Sequence, residues 1–381
     1  MKLNMPQLLR RHAMRATVTA MAATSVIAAA IPACAGEHKT AEPYAEAKSI
    51  IEDMGRIVTP NGVQEIFKAR IGGIDQWVSV RGKDRDNPLL LFVHGGPASP
   101  AMPVSWAFQR PWEEYFTVVQ WDQRGAGKTY RANDPEEIAE TIRIDRFVAD
   151  VGEVIELLRD RYDKRKVILV AHSWGTIIAL PAALRHSEWI HAYVGIGQVI
   201  SVEVNERLSF EYALTTAKRE QNQEAIDDLE AIAPYPGEGL TRERIIQQRK
   251  WAQHYGGLSA YRTDSNYYHD APKLSPMYSE PDRAAINEGN VLTLGRILEE
   301  WMQVDYRNIT EVPFPLLMFM GRHDYTTPSA PTASWIDKVR APSKRAVWFE
   351  HSSHLIPFEE PGKTLLTLVE HVRPLAVASE D

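Results

Sequence analysis

The sequence predicts an α/β protein: a mostly parallel, doubly wound sheet with a helical cap inserted late in the chain. Three observations carry that prediction. Five short runs are continuously apolar, as strands covered on both faces must be: 88–93, 116–121, 167–171, 192–196 and 314–320. Helical periodicity lies between such runs, clearest over 147–160, where apolar residues fall at 147, 151, 154, 155, 157 and 158. Residues 200–310 then break the alternation, with helical periods over 208–218, 224–232 and 291–301 and almost no strand signal. About 110 helical residues between two strands make a lid over the carboxyl edge of the sheet, where such folds bind ligands.

In chain order, residues 1–35 stand apart. Lys2, Arg10, Arg11 and Arg15 carry four positive charges with no acid among them, and an uncharged run from Ala16 to Ala33 follows. A basic start, an apolar stretch and small residues at its end read as an export signal; a membrane anchor is the alternative, but the run is short and diluted by threonine. Two cuts fit. Ala33-Cys34-Ala35 is an A-x-A site leaving Gly36 first, and Ile31-Pro32-Ala33-Cys34 resembles a lipoprotein box, which would attach the protein to a membrane through lipidated Cys34. Either implies an exported bacterial protein, periplasmic or an outer-membrane lipoprotein. Removing the four positive charges takes the net charge from −7 to −11. Residues 36–60 read as a tether with one short amphipathic stretch. Residues 61–199 and 311–381 read as the core, beginning with an alternating strand over 76–81 and ending with a strand at 347–349 and a helix over 359–372.

Composition narrows the function. Hydrophobic residues make up 44% of the 381 and charged residues 24%, an ordinary globular balance. An acidic chain with 43 Lys+Arg against 50 Asp+Glu lacks the footprint of a nucleic-acid binder. Its single cysteine cannot form an internal disulfide or a cysteine-based zinc site. Gly125-Ala-Gly-Lys-Thr129 ends like a phosphate loop, but that motif requires glycine at 122, where Asp122 stands. We therefore expect no cofactor and no metal.

The chemistry sits at strand ends. After the run 167–171, Ala171-His172-Ser173-Trp174-Gly175 leads into a helical stretch, so Ser173 occupies a sharp strand-to-helix turn with small flanking residues. The Trp174 N–H then lies at a helix N-terminus, where it is suited to stabilising an oxyanion. His94-Gly95-Gly96-Pro97 follows the run 88–93, and its glycines allow Gly95 or Gly96 to supply a second donor. A base and its orienting acid should follow the serine. Asp324 comes after the strand at 314–320 and His354 after the strand at 347–349. His323 and His351 are rival bases, and Glu203 is the rival acid. His351 and His354 also spell H-x-x-H, but no third metal ligand accompanies them.

His94-Gly-Gly-Pro97, Trp121-Asp-Gln-Arg-Gly125, Ser173-Trp174-Gly175, Gly321-Arg-His-Asp324 and Ser353-His354 together resemble the proline iminopeptidase family of serine peptidases, on the α/β-hydrolase fold. The resemblance spans most of the chain after residue 60. It implies Ser173 as nucleophile, His354 as base, Asp324 as its orienter, and release of an N-terminal residue from a short peptide. It implies that Asp122 and Arg124 brace the loop behind the nucleophile. Two departures matter: Ala98 replaces the glycine that usually follows HGGP, and the lid lacks a Trp-x-x-Trp-Glu pattern. An aminopeptidase needs lid carboxylates for the substrate amine, and Glu203, Glu206, Glu211, Asp264 and Asp282 are candidates. Three functions follow: a serine aminopeptidase, an esterase, lactonase or amidase with the same residues, and a non-catalytic binding protein on this fold. A serine at 173 argues against epoxide hydrolase or dehalogenase chemistry, which uses an aspartate nucleophile.

Overall fold

The computed structural model describes residues 42–377; the export-signal and Cys34 readings lie outside them. Eight strands form one sheet: β1 Val63–Ile71, β2 Ile74–Gly82, β3 Leu89–Val93, β4 Thr117–Asp122, β5 Val167–His172, β6 Ile190–Ile196, β7 Leu316–Gly321 and β8 Lys344–Phe349. Their spatial order is β1-β2-β4-β3-β5-β6-β7-β8. The pairs β1–β2 and β2–β4 are antiparallel and every later pair is parallel. The chain reverses direction across the sheet at β3, so a crevice opens between the carboxyl ends of β3 and β5.

The central strands read as continuous apolar runs because both faces are covered. Leu89, Leu91 and Val93 of β3 pack into one core while Leu90 and Phe92 pack into the other. Strands β5 and β7 divide in the same way, residue by residue. The first core is closed by helices α2 Ile144–Tyr162 and α3 Trp174–Arg185, the second by residues 101–112 and the C-terminal helical turns over 356–376. Each of these fully buried aliphatic side chains contributes roughly 1.5–3 kcal/mol. Strand β1 has no such run: it is an edge strand whose residues between Val63 and Ile71 are exposed or half-buried. That is why its pattern was not distinct in the sequence.

Helix α1 (Ala45–Met54) precedes the sheet. The tether reading therefore needs correction over this stretch. Lys48 is buried and donates to the Tyr278 carbonyl, and Arg81 donates to the Gly55 carbonyl, so 45–55 is docked chain.

Between β6 and β7 lie helices α4 Val202–Arg219, α5 Gln223–Ala231, α6 Arg242–His254 and α7 Glu280–Met302. They carry their own core, with Phe210, Ala213, Leu229, Tyr235 and Trp251 packed together. Trp251 and Tyr278 are 4% and 2% exposed and serve packing, whereas Tyr261 is 73% exposed. Helix α7 begins with a capping box, Ser279 and Asp282 each bonding the other's backbone N–H. Its Gly289 lies where a Cβ would meet the Gly125 carbonyl at 1.9 Å, so only glycine lets α7 lie on the loop after β4. Helix α8 (Ser329–Lys338) returns the chain to the sheet.

Candidate active site

Ser173 stands between β5 and α3 with φ 56 and ψ −125, a conformation that L residues rarely hold. The turn is fixed on both sides. The Ser173 N–H donates to the Ile196 carbonyl at 3.0 Å, and its own carbonyl accepts from Thr176 N–H (2.8 Å) and Oγ1 (2.7 Å). Gly175 is required by close approach, since a Cβ there would lie 2.2 Å from the Val93 carbonyl oxygen. Trp174 is the first residue of α3, so its N–H has no acceptor within the helix.

The loop after β3 crosses directly in front of the serine. A Cβ on Gly95 would sit 3.0 Å from Ser173 Cβ, and Gly96 has φ 124, which favours glycine. One side chain clamps this loop to the turn. The Gln123 amide donates from Nε2 to the His94 carbonyl (2.8 Å) and accepts at Oε1 from Trp174 Nε1 (3.0 Å). Gln123 N–H donates to His94 Nε2 at 3.2 Å. His94 is thereby held neutral; burial pushes its pKa down to about 4.

His354 Nδ1 lies 2.8 Å from Asp324 Oδ2. A carboxylate oxygen only accepts, so Nδ1 carries a proton, and in the neutral ring Nε2 is the nitrogen with the free lone pair. Asp324 is fixed by further donors: Thr326 N–H (3.0 Å) and Thr327 N–H (2.7 Å) to Oδ1, and Thr327 Oγ1 (2.9 Å) to Oδ2. His172 packs beside His354 with ring centroids 4.6 Å apart and its Nε2 3.0 Å from the His354 carbonyl. Burial, and then the charge of His354, push the His172 pKa down to about 3, so His172 does not compete for a proton.

Ser173 and His354 line one cavity of about 490 Å³ with Gly95 and Gly96. Among the described residues no hydrogen bond joins the two side chains, a gap that catalytic pairs commonly close in the substrate complex. The rivals lie elsewhere. His323 and His351 sit beside exposed Tyr261, at 2.9 and 3.5 Å from its hydroxyl. Glu203 is on the exposed side of α4. Among the other cap acids, Glu211 pairs with Arg207 and Asp282 with Lys128 and Arg131, while Asp264 is exposed. Glu206 alone of the five is fully buried beside a cavity residue, bonded to Arg249, to Tyr235 Oη (2.5 Å) and to Asn205 Nδ2 (3.2 Å). The described residues contain no group of three or more His, Cys, Asp or Glu placed to hold a metal.

The two residues flanking Gln123 have other roles. Arg124, fully buried, pairs with Asp150 at 3.0 Å and donates to Thr141 Oγ1 and the Gly72 carbonyl. Asp122 accepts from the Tyr278 hydroxyl and from Lys128 N–H, and burial pushes its pKa up to about 7. The family resemblance implied Asp122 and Arg124 as braces of the loop behind Ser173; Gln123 between them is the residue that bonds both the His94–Gly95 loop and Trp174. Its signal was position alone, since it follows a buried strand within the Asp-Gln-Arg-Gly stretch.

This sheet and this site define a hydrolase of the α/β class. Residues 88–361 match the family model of the alpha/beta hydrolase fold, and the chain belongs to that family. It is 26% identical over 304 residues to the probable aminopeptidase YbaC of Bacillus subtilis, covering 80% of this chain and 94% of that one. It is 23% identical over 328 residues to a proline iminopeptidase of Saccharolobus solfataricus, covering 81% and 92% of the two chains. The solved structure of a proline iminopeptidase from Mycobacterium smegmatis superposes with a TM-score of 0.60 at 16% identity, over 83% of this chain and all of that one. The chain is an enzyme of the hydrolase class, similar to aminopeptidases of this fold, and its substrates are small molecules or peptides.

Proposed function

We propose that the protein is an exported serine hydrolase that cleaves small amides or esters through an acyl-enzyme on Ser173, acting as an aminopeptidase on short peptides. One observation carries the reading: a buried His354–Asp324 pair at 2.8 Å opens onto the same cavity as a serine held at φ 56. His354 Nε2 takes the Ser173 proton as Oγ attacks the substrate carbonyl. The N–H groups of Trp174 and of Gly95 or Gly96 receive the oxyanion. The imidazolium, oriented by Asp324, then protonates the leaving group, and water repeats the sequence on the acyl-enzyme.

The aminopeptidase reading is supported by the relatives' names and by Glu206, a cap carboxylate next to the cavity. A second reading, an esterase, lactonase or amidase with the same three residues, is favoured by the cavity wall, which among the described residues includes no Asp or Glu. Ser173→Ala is expected to abolish labelling by an active-site fluorophosphonate; persistent labelling would sink the nucleophile assignment. Prolyl-naphthylamide assayed against short acyl esters separates the two readings, and turnover of esters with no aminoacyl amide cleaved removes the aminopeptidase. The lipoprotein cut is tested at Cys34. Lipidation requires a heavier, membrane-retained mature chain that Cys34→Ala converts to a released one; unchanged mass and retention exclude the lipoprotein cut.

A further inference from the structure

One face of α6 forms a wall of the cavity: Arg242, Ile245, Ile246, Arg249, Lys250 and Gln253 recur at helical spacing along it. Three of these six are cations, and no carboxylate lines the cavity among the described residues. The three cations are not equivalent. Lys250 is satisfied away from the cavity by Glu224 (3.1 Å) and Asp228 (3.0 Å), and Arg249 is paired with buried Glu206.

Among the described residues no carboxylate forms an ion pair or hydrogen bond with Arg242; the acid whose charge it feels is exposed Glu243, the next residue along the helix. Its Nη2 donates to the neutral Asn290 Oδ1 at 3.3 Å, and its Nε is buried with no acceptor. Asn290 in turn donates from Nδ2 to the Pro97 carbonyl at 2.8 Å, one residue beyond Gly96. The guanidinium is thereby tied through one side chain to the loop that faces Ser173. Arg242 is also the first residue of α6, at the positive end of the helix dipole. A cation there is unfavourable by itself, and an anion between it and the helix start relieves both charges.

We propose that Arg242 binds a carboxylate of the substrate, so that the enzyme selects small acyl compounds bearing a free carboxylate. The proposal rests on Ser173 being the nucleophile of this cavity and deepens that reading. The carboxylate has two sources: the C-terminus of a short peptide, on the leaving-group side, or an acid on the acyl side of an ester. A charge-assisted, two-pronged hydrogen bond from arginine sets the size of the preference, on the order of 10- to 100-fold over the neutral analogue.

Two matched pairs test this on the full-length enzyme. Alanyl-alanine and alanyl-alaninamide compete with fluorophosphonate labelling of Ser173, and the 4-nitrophenyl monoester of glutaric acid is compared in kcat/KM with 4-nitrophenyl pentanoate. The acid member is expected to win in at least one pair, and the pair in which it wins names the source. The preference is carried by KM; Arg242→Gln collapses the acid-to-neutral ratio toward 1, and Arg242→Lys restores part of it. Lys250→Gln keeps the ratio, because that ammonium is already paired. A ratio near 1 in both wild-type pairs, or one that survives Arg242→Gln, overturns the proposal. If labelling and turnover are both absent, the nucleophile reading falls on its own. Calorimetric titration of the two peptides on wild type and Arg242→Gln then decides the carboxylate by the same criterion.

Discussion

Gln123→Leu separates the chemistry of the oxyanion segments from the stability of the fold. Leucine nearly fills the space of glutamine but can neither donate nor accept. It leaves the His94 carbonyl and the Trp174 indole N–H, on residues 1% and 2% exposed, without the partners they have at 2.8 and 3.0 Å. Each unsatisfied buried group costs roughly 1–3 kcal/mol, so the variant should lose about 2–6 kcal/mol in urea unfolding. The same two groups sit beside the two proposed oxyanion donors, since Gly95 follows His94 and Trp174 is itself the other proposed donor. Full loss of one donor is typically worth about 10²–10³ in turnover. Partial displacement of both should lower kcat for an aryl ester by about 10- to 100-fold, with KM within about threefold, because the oxyanion exists only beyond the ground state. Gln109→Leu is the control. Gln109 is equally buried and donates to Glu113 (2.9 Å) while accepting from Gln120 (2.9 Å), with no bond to either oxyanion segment. It should lose similar stability and keep its kcat. Equal kcat losses in the two variants, or a destabilised Gln123→Leu enzyme with kcat within twofold of wild type, refute the clamp.

Asp324→Asn keeps the shape of the acid but lets the amide donate, so His354 Nδ1 need no longer carry the proton. Steady-state kcat should fall by about 10³–10⁴ with little change in KM, and a loss below tenfold would reject Asp324 as the orienter. Asp150→Ala removes the counter-charge of fully buried Arg124 and should lower unfolding stability by about 3–5 kcal/mol, whereas breaking the exposed Arg340–Glu311 pair should change it by less than about 1 kcal/mol. With pH, two buried groups act oppositely. His94, depressed to about 4, is protonated first in the unfolded chain, so stability falls by about 2 kcal/mol from pH 7 to pH 5. Asp122, raised to about 7, is protonated first in the folded chain and returns a similar amount over the same interval. His172, depressed to about 3, and His191, depressed to about 4, act in the same direction as His94, so wild type should lose stability from pH 7 to pH 5, and Asp122→Asn, which removes the compensating effect, should lose about 2 kcal/mol more than wild type over that interval; equal losses in the two refute the compensation.

The parallel strands were legible because burial on both faces forces continuous apolar sequence, and the strand ends located the turn at Ser173, the loop at Gly95 and the carboxyl end at Asp324. Residue order left the base open, since His323, His351 and His354 are all near strand ends. Tertiary structure separates them: His354 bonds Asp324 through Nδ1 and packs beside His172, while His323 and His351 sit with an exposed tyrosine. Edge strand β1 and helix α1 were hidden by their half-exposed pattern. Helix α6 was hidden for another reason. Its residues divide between two environments, with Gln248, Trp251 and Ala252 in the cap and Arg242, Arg249 and Gln253 on the cavity, so no single apolar stripe marks it. A residue whose task is to face a ligand carries no periodic signal of its own.

The same helix reconciles the two readings of the substrate. An aminopeptidase must hold an ammonium group, and Glu206 is a buried cap carboxylate bonded to a cavity residue, yet its oxygens are engaged by Arg249, Tyr235 and Asn205. An amine reaches Glu206 only by sharing it with Arg249 or displacing it, which exchanges one buried charge pair for another and gains little. A carboxylate meets no such competition at Arg242, where a buried Nε already lacks an acceptor. The anionic end of a substrate therefore contributes binding that the amino end does not, and the cavity as built orients its ligand by the carboxylate. Replacing Arg249 with methionine should shift that balance, freeing Glu206 and improving binding of an aminoacyl amide relative to its N-acetyl form; if the ratio of the two is the same as in wild type, Glu206 has no part in amine recognition.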